Sequence, residues 1–203
     1  MVTTASRFIK TALLFTGIGF TASNALCGGT IFGTIDTDLP KYKGDTVIYL
    51  VTVNSPVLTQ HKSIDQQSLT FIPKVTTIPV GSTIDFTNND KVYHNVNSKS
   101  EPKTFSLDVY DPGVQSAVTF DKPGVVHLLC KVHPEMSGWI VITKNNYAAV
   151  TEHDGRFTIS NVPAGKYEIA SWNEKLKQQG KATVTVTEGD TVPVVIKLAE
   201  PSA

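Results

Sequence analysis

The sequence reads as an all-β protein. Valine and threonine are abundant and alternate with polar residues in short runs such as Thr83-Ile84-Asp85-Phe86-Thr87. Eleven prolines and 14 glycines punctuate these runs at close intervals. Almost no stretch sustains the 3.6-residue apolar period of a helix, so strands and turns are the consistent reading. The charge is balanced, with 18 basic and 18 acidic residues and no basic stripe, which argues against a nucleic-acid partner.

The first residues, Met1 to about Ala25, read as a secretory signal (1–25). Arg7 and Lys10 precede the apolar run Thr11–Phe20, and Ser23-Asn24-Ala25 offers small residues for cleavage. The run is shorter than the ~20 residues of a membrane-spanning helix, so export with removal of the segment is expected, with no membrane span left afterwards. Cys27 lies just past the expected cut. Acylation of Cys27 is the weaker alternative, because the large Leu26 precedes it. An oxidising compartment leaves Cys27 as a free or intermolecularly paired thiol.

Residues 28–53 predict two strands, Thr30–Ile35 and Thr46–Val53, separated by the polar turn Asp38–Asp45. Asn54–Ile64 loses all periodicity and is expected to be a connecting loop. Leu69–Pro73 and Val75–Val80 read as a strand pair or one bent strand. Gly81-Ser82 turns into Thr83–Thr87, and Asn88-Asn89-Asp90 begins the loop that carries His94. Thr104–Leu107 and Gln115–Phe120 are strands around the Asp111-Pro112-Gly113 turn. Val125–Cys130 and Trp139–Ile142 close this part of the chain. Beyond Asn145, Tyr147–Thr151 leads through the turn His153-Asp154-Gly155 to Arg156–Ile159, the turn Asn161–Gly165 leads on to Lys166–Trp172, and Thr183–Thr187 and Val192–Leu198 are the last strands.

The chemistry concentrates in Cys130-Lys131-Val132-His133-Pro134-Glu135-Met136, which is Cys-x2-His-x2-Met, with a second imidazole upstream at His94. The chain has two cysteines and two methionines, and one of each falls in this heptapeptide. A thiolate, two imidazoles and a long axial thioether form the ligand set of a blue-copper site, where soft sulfur suits Cu(I) and imidazole is acceptable to Cu(II). Zinc competes less well, since its structural sites take four Cys/His ligands in paired spacings, and no second pair is present. Strand parity sets His127 on the face opposite Cys130, so His127 is expected to be structural or solvated, as are His61 and His153. Glu135 is expected to be a solvated loop charge.

The run Gly81–Asp90, then His94-Asn95-Val96, then Pro123-Gly124 through Met136 resembles a cupredoxin, the plastocyanin and amicyanin family, over roughly residues 64–143. The resemblance implies one copper held by His94, Cys130 and His133 in the equatorial plane and by Met136 as a weak axial ligand. It also implies that Asn95 braces the ligand loops, that the fold is a Greek-key β-sandwich, and that the role is single-electron transfer with no enzymatic reaction. The implied partner is a redox protein such as a cytochrome or dehydrogenase, in the periplasm. Copper delivery and a non-redox binding module are the alternatives.

The later pattern Asp154-Gly155-x-Phe157-x-Ile159-x-x-Val162-Pro163-x-Gly165-x-Tyr167 resembles the carboxypeptidase regulatory-like domain, a small transthyretin-like β-sandwich. No His-Glu-x-x-His motif accompanies it, so the resemblance implies a scaffold and no hydrolase. That domain type opens with strands like those at 29–36 and 46–53. The expected organisation is therefore a discontinuous sandwich built from 28–53 and 145–199, with a cupredoxin domain at 54–144 inserted between them. The pairing of the two resemblances is similar to methylamine utilisation-type periplasmic proteins.

Overall fold

Alternating burial sorts the strands into two sandwiches. The computed structural model describes residues 28–176 and 180–198; the expected signal segment 1–25 and Cys27 lie outside the described residues. The strands are β1 (Gly29–Asp36), β2 (Val47–Leu50), β3 (His61–Gln67), β4 (Thr70–Ile72), β5 (Val75–Pro79), β6 (Ser82–Asn88), β7 (Asn97–Ser100) and β8 (Lys103–Ser106). They continue with β9 (Gln115–Phe120), β10 (Gly124–Leu129), β11 (Ser137–Thr143), β12 (Ala148–Val150), β13 (Arg156–Val162), β14 (Gly165–Trp172), β15 (Lys181–Val186) and β16 (Thr191–Lys197). A single 3-10 turn at Pro40–Tyr42 is the one helical element among the described residues. No described helix is long and apolar enough to cross a membrane. The protein is all-β, as its patterning requires.

The central sandwich packs the sheet β5-β11-β10-β7-β8 against β4-β3-β6-β9. In β6, Ser82, Ile84, Phe86 and Asn88 point inward and the residues between them outward, which is the two-residue period of a strand with one buried face. Its core joins Ile64, Phe71, Phe86, Phe120, Leu128 and Ile140. The outer sandwich packs β13-β1-β16 against β12-β2-β14-β15, around Ile31, Ile48, Leu50, Phe157, Ile169 and Ile196. Here β1 runs antiparallel to β13 and parallel to β16. Gly33 of β1 is glycine for a steric reason: a Cβ there would lie 2.6 Å from the Val194 carbonyl oxygen and 2.3 Å from the Phe157 ring.

Three local expectations need correction. Residues 54–64 are not wholly a loop, because β3 begins at His61 and runs parallel to β6 from His61↔Thr83 to Gln66↔Asn88. Its first three residues are exposed, so ladder bonding makes the strand and no apolar alternation announces it. Residues 69–80 are neither a pair nor one strand: β4 joins β3, while β5 joins β11 in the opposite sheet. The polar β7, which pairs with β8 and β10, carried no strand signal.

The sandwiches meet through Val47, Val75 and Val141, with Tyr49, Val125, Trp139, Val150 and Trp172 packed around them. The two connecting segments also touch. The Leu58 N–H donates to Asn146 Oδ1 (2.8 Å), and Asn146 Nδ2 donates back to the Leu58 carbonyl (2.5 Å).

Candidate metal centre

Cys130 directly follows β10 and Met136 directly precedes β11. Because these strands pair up to Leu129↔Ser137, the heptapeptide 130–136 is the closed end of a hairpin, tightened by Met136 N–H donating to the His133 carbonyl at 3.0 Å. His94 arrives from the segment after β6. Its backbone exchanges two hydrogen bonds with Tyr110, with His94 N–H donating at 3.2 Å and accepting from Tyr110 N–H at 2.8 Å. The fully buried Asn88 anchors the same segment, its Nδ2 donating to the Val92 carbonyl at 3.0 Å and to that of Tyr110 at 3.3 Å.

These supports bring three side chains together. His94 Nδ1 lies 3.9 Å from Cys130 Sγ and 3.0 Å from His133 Nδ1, and one ligand atom from each residue falls within 4.8 Å of the others. His94 and Cys130 are buried and His133 is half-buried. Met136, 1% exposed, packs in the same core cluster as Cys130. Its loop neighbours Pro134 and Glu135 are exposed.

Asp90, which sequence reasoning passed over, fixes the His94 imidazole. Its Oδ2 lies 3.0 Å from His94 Nε2 and accepts the Leu69 N–H at 2.9 Å, while Oδ1 accepts the Lys91 N–H at 2.8 Å. The backbone bonds from Leu69 and Lys91, followed by the His94 contact, hold its carboxyl down at about 2. A carboxylate only accepts hydrogen bonds, so His94 Nε2 carries the proton and Nδ1 turns a lone pair toward Cys130 and His133. Carboxylates that orient a ligating imidazole in this way raise its basicity. The only trace of this in the sequence is an acidic residue four positions before the histidine.

Asn95 accepts the Lys131 N–H on Oδ1 at 2.7 Å and donates from Nδ2 to the Leu107 carbonyl at 3.4 Å, which ties the His94 segment to the residue after Cys130. Asn97, also unforeseen, donates to the Leu129 carbonyl at 2.7 Å, so both peptide neighbours of Cys130 are held. The remaining histidines lie elsewhere. His127 stacks on Trp139, His61 pairs with Asp85 at 2.9 Å, and His153 is outside the cluster.

The donor set fits copper. A buried thiol, two imidazoles with one lone pair already aimed, and a neighbouring thioether match the softness of Cu(I) without excluding Cu(II). The described residues supply three Cys/His donors in one group, one short of a structural zinc site.

Residues 58–143 match the family of copper binding proteins of the plastocyanin/azurin type. Residues 130–194 match domain II of polysaccharide lyase family 4, a stretch that begins in the hairpin loop of the central sandwich and runs through the outer one. Among curated proteins, amicyanin-alpha of Methylorubrum extorquens is 36% identical over 69 residues, covering 32% of this chain and 57% of that protein. The chain thus spans little more than half the length of that relative. Among solved structures, a purple cupredoxin from Nitrosopumilus maritimus is 26% identical over 40% of this chain and 98% of its own, at a TM-score of 0.37. A copper-containing nitrite reductase from Thermus scotoductus is 28% identical over 48% of this chain and 26% of its own, at a TM-score of 0.41. Together, the match over 58–143, the amicyanin relative and the His94–Cys130–His133 cluster support a cupredoxin domain of the plastocyanin/azurin family, which binds one copper, in the central sandwich.

Proposed function

We propose that this chain is a periplasmic type 1 (blue) copper protein that passes single electrons between redox partners. The observation that carries the reading is the convergence of Cys130 Sγ and the Nδ1 atoms of His94 and His133 at one buried point, with His94 already oriented by Asp90. In this reading His94, Cys130, His133 and Met136 would hold the copper, and Asn95 would brace the two loops that carry them. Copper bound there supplies one-electron redox chemistry. The chain holds the donors on strand ends and hydrogen-bonded loops, so little nuclear rearrangement accompanies a change of charge. It also keeps water from the buried Sγ and leaves His133 half-exposed as the edge nearest solvent. Val92 and Tyr93, in the loop of His94, are exposed apolar groups suited to the small docking faces of transient redox encounters. The expected partner is a redox protein such as a cytochrome or dehydrogenase, and the protein itself is not an enzyme.

We also propose that the central sandwich (54–144) is inserted into a transthyretin-like, regulatory-like sandwich formed by 28–53 and 145–199. The pairing of β1 with β13 and β16, and of β2 with β12 and β14, supports this.

The test is the visible spectrum of the copper-loaded, oxidised protein beside Cys130→Ala. An intense thiolate-to-copper band that reductant bleaches reversibly, and that the variant lacks, is expected. A colourless protein that still binds Cu(I) tightly would replace electron transfer with copper carriage, and one that binds no copper would overturn the site.

A further inference from the structure

The inward residues of β11 are Gly138, Ile140 and Ile142, so Ser137 and Trp139 share its outer face. The cross-strand partner of Trp139 is His127, which puts the three side chains side by side. The His127 and Trp139 rings stack at 3.9 Å with an interplanar angle of 6°. His127 Nε2 then lies 2.8 Å from Ser137 Oγ. Ser137 is the last rung of the β10–β11 ladder and is covalently next to Met136.

The other side of Trp139 belongs to the outer sandwich. Trp139 Nε1–H donates to Glu174 Oε2 at 2.5 Å, and Lys74 Nζ donates to Glu174 Oε1 at 2.8 Å. The Trp172 ring lies 5.3 Å from that of Trp139. Glu174 is itself fixed, because its neighbour Asn173 donates to Thr46 Oγ1 at 2.8 Å and accepts the Lys175 N–H at 3.0 Å. Burial alone would cover the indole face without choosing its rotation. The carboxylate at Nε1 chooses it.

At Ser137 the ladder gives way to the loop that carries Cys130, His133 and Met136. Here a side-chain path from the other sandwich, Glu174 to Trp139 to His127 to Ser137, holds that end closed. We infer that Glu174 is a positioning residue for the candidate copper centre, acting through Trp139 and His127 to fix Met136 against Cys130, His94 and His133. The inference rests on the copper reading of that cluster. It gives the outer sandwich a role: it sets the geometry of a site that it does not touch.

The experiment uses the full chain without metal, as wild type, Glu174→Ala and Glu174→Gln, and follows two NMR signals. The Trp139 indole N–H reports the clamp, and the Met136 methyl reports the site; Met1 is the only other methionine. Glu174→Ala is expected to move both signals. Glu174→Gln, which keeps an acceptor for the indole, is expected to restore the Met136 methyl most of the way to wild type and to keep the fold if the alanine variant unfolds. The inference is overturned if the indole signal moves and the methyl does not, if the indole signal does not move, or if glutamine shifts the methyl as far as alanine does. Copper loading then separates the two readings. A wild type that binds no copper defeats the copper assignment whatever the methyl does. Where the band is present, a changed ratio of its charge-transfer components in Glu174→Ala, restored in Glu174→Gln, is expected.

Discussion

Replacing Asp90 should weaken copper binding without unfolding the protein. The carboxylate accepts the His94 Nε2 proton at 3.0 Å beside an imidazole that is entirely buried. Hydrogen bonds to charged groups are worth about 1.5–3 kcal/mol, and losing a partner that orients a ligating histidine costs about 10–100-fold in metal affinity. The Asp90 side chain is 13% exposed, so water recovers part of the loss in the alanine variant. We expect Asp90→Asn, which still offers an oxygen to Nε2–H, to lose about tenfold in Cu(I) affinity, and Asp90→Ala more, up to about 100-fold. The assay is equilibrium competition for Cu(I) against a chromogenic chelator, with Asp108→Asn, an exposed carboxylate, as the control for net charge. Wild-type affinity in a folded Asp90→Ala protein would refute the reasoning, because His94 Nδ1 would then be aimed without Asp90.

Two further outcomes follow from burial and charge. Phe86 is fully buried, with the Phe105 ring 5.9 Å from its own, so Phe86→Ala should cost about 3–5 kcal/mol in urea unfolding; a loss below about 1 kcal/mol would mean the central core is not packed as described. For Glu174, burial raises the carboxyl pKa, but the Lys74 and Trp139 hydrogen bonds outweigh it and hold the group below its ordinary 4.5. A depressed acid stabilises the fold above the unfolded pKa and loses that contribution as pH falls through the folded one. Wild-type stability should therefore fall more steeply than that of Glu174→Gln as pH drops below about 4.5, and parallel acid titrations of stability would contradict the assignment.

The candidate ligands could be named because the heptapeptide 130–136 is local: Cys-x2-His-x2-Met places its donors in one short loop whatever surrounds it. His94 could be named through its run with Asn95 and Val96, and Asn95 bonds across to Lys131 and Leu107. Asp90 and Asn97 were invisible for a physical reason. Asp90 meets His94 through the path of its own loop, which the Leu69 N–H helps to fix, and Asn97 reaches the Leu129 carbonyl only once β7 and β10 are in register. The strand parity that turned His127 away from Cys130 was readable, but not what it turned toward, since the Trp139 contact needs β10 and β11 in register. The missed β7 and the opening of β3 share a cause. Their residues are polar, and they become strands because neighbouring strands offer ladders. The separation of β4 from β5 depends on the corner between the two sheets, which apolar patterning does not encode.

The parallel pairing of β1 with β16 has a consequence for the order in which the molecule can be completed. As the chain emerges from its amino end, β1 is among the first strands available and the last to be satisfied, since one edge waits for β13 and the other for β16. β2 waits in the same way for β12 and β14. The central strands, β3 to β11, find all their partners among themselves by Thr143. The copper-binding half can thus close while the opening strands are still unpaired, and the contact between Leu58 and Asn146 marks where the two ends of the finished half come back together. What remains to fold is a loop already drawn shut, so the long interval between β2 and β12 adds little to the entropy of joining them.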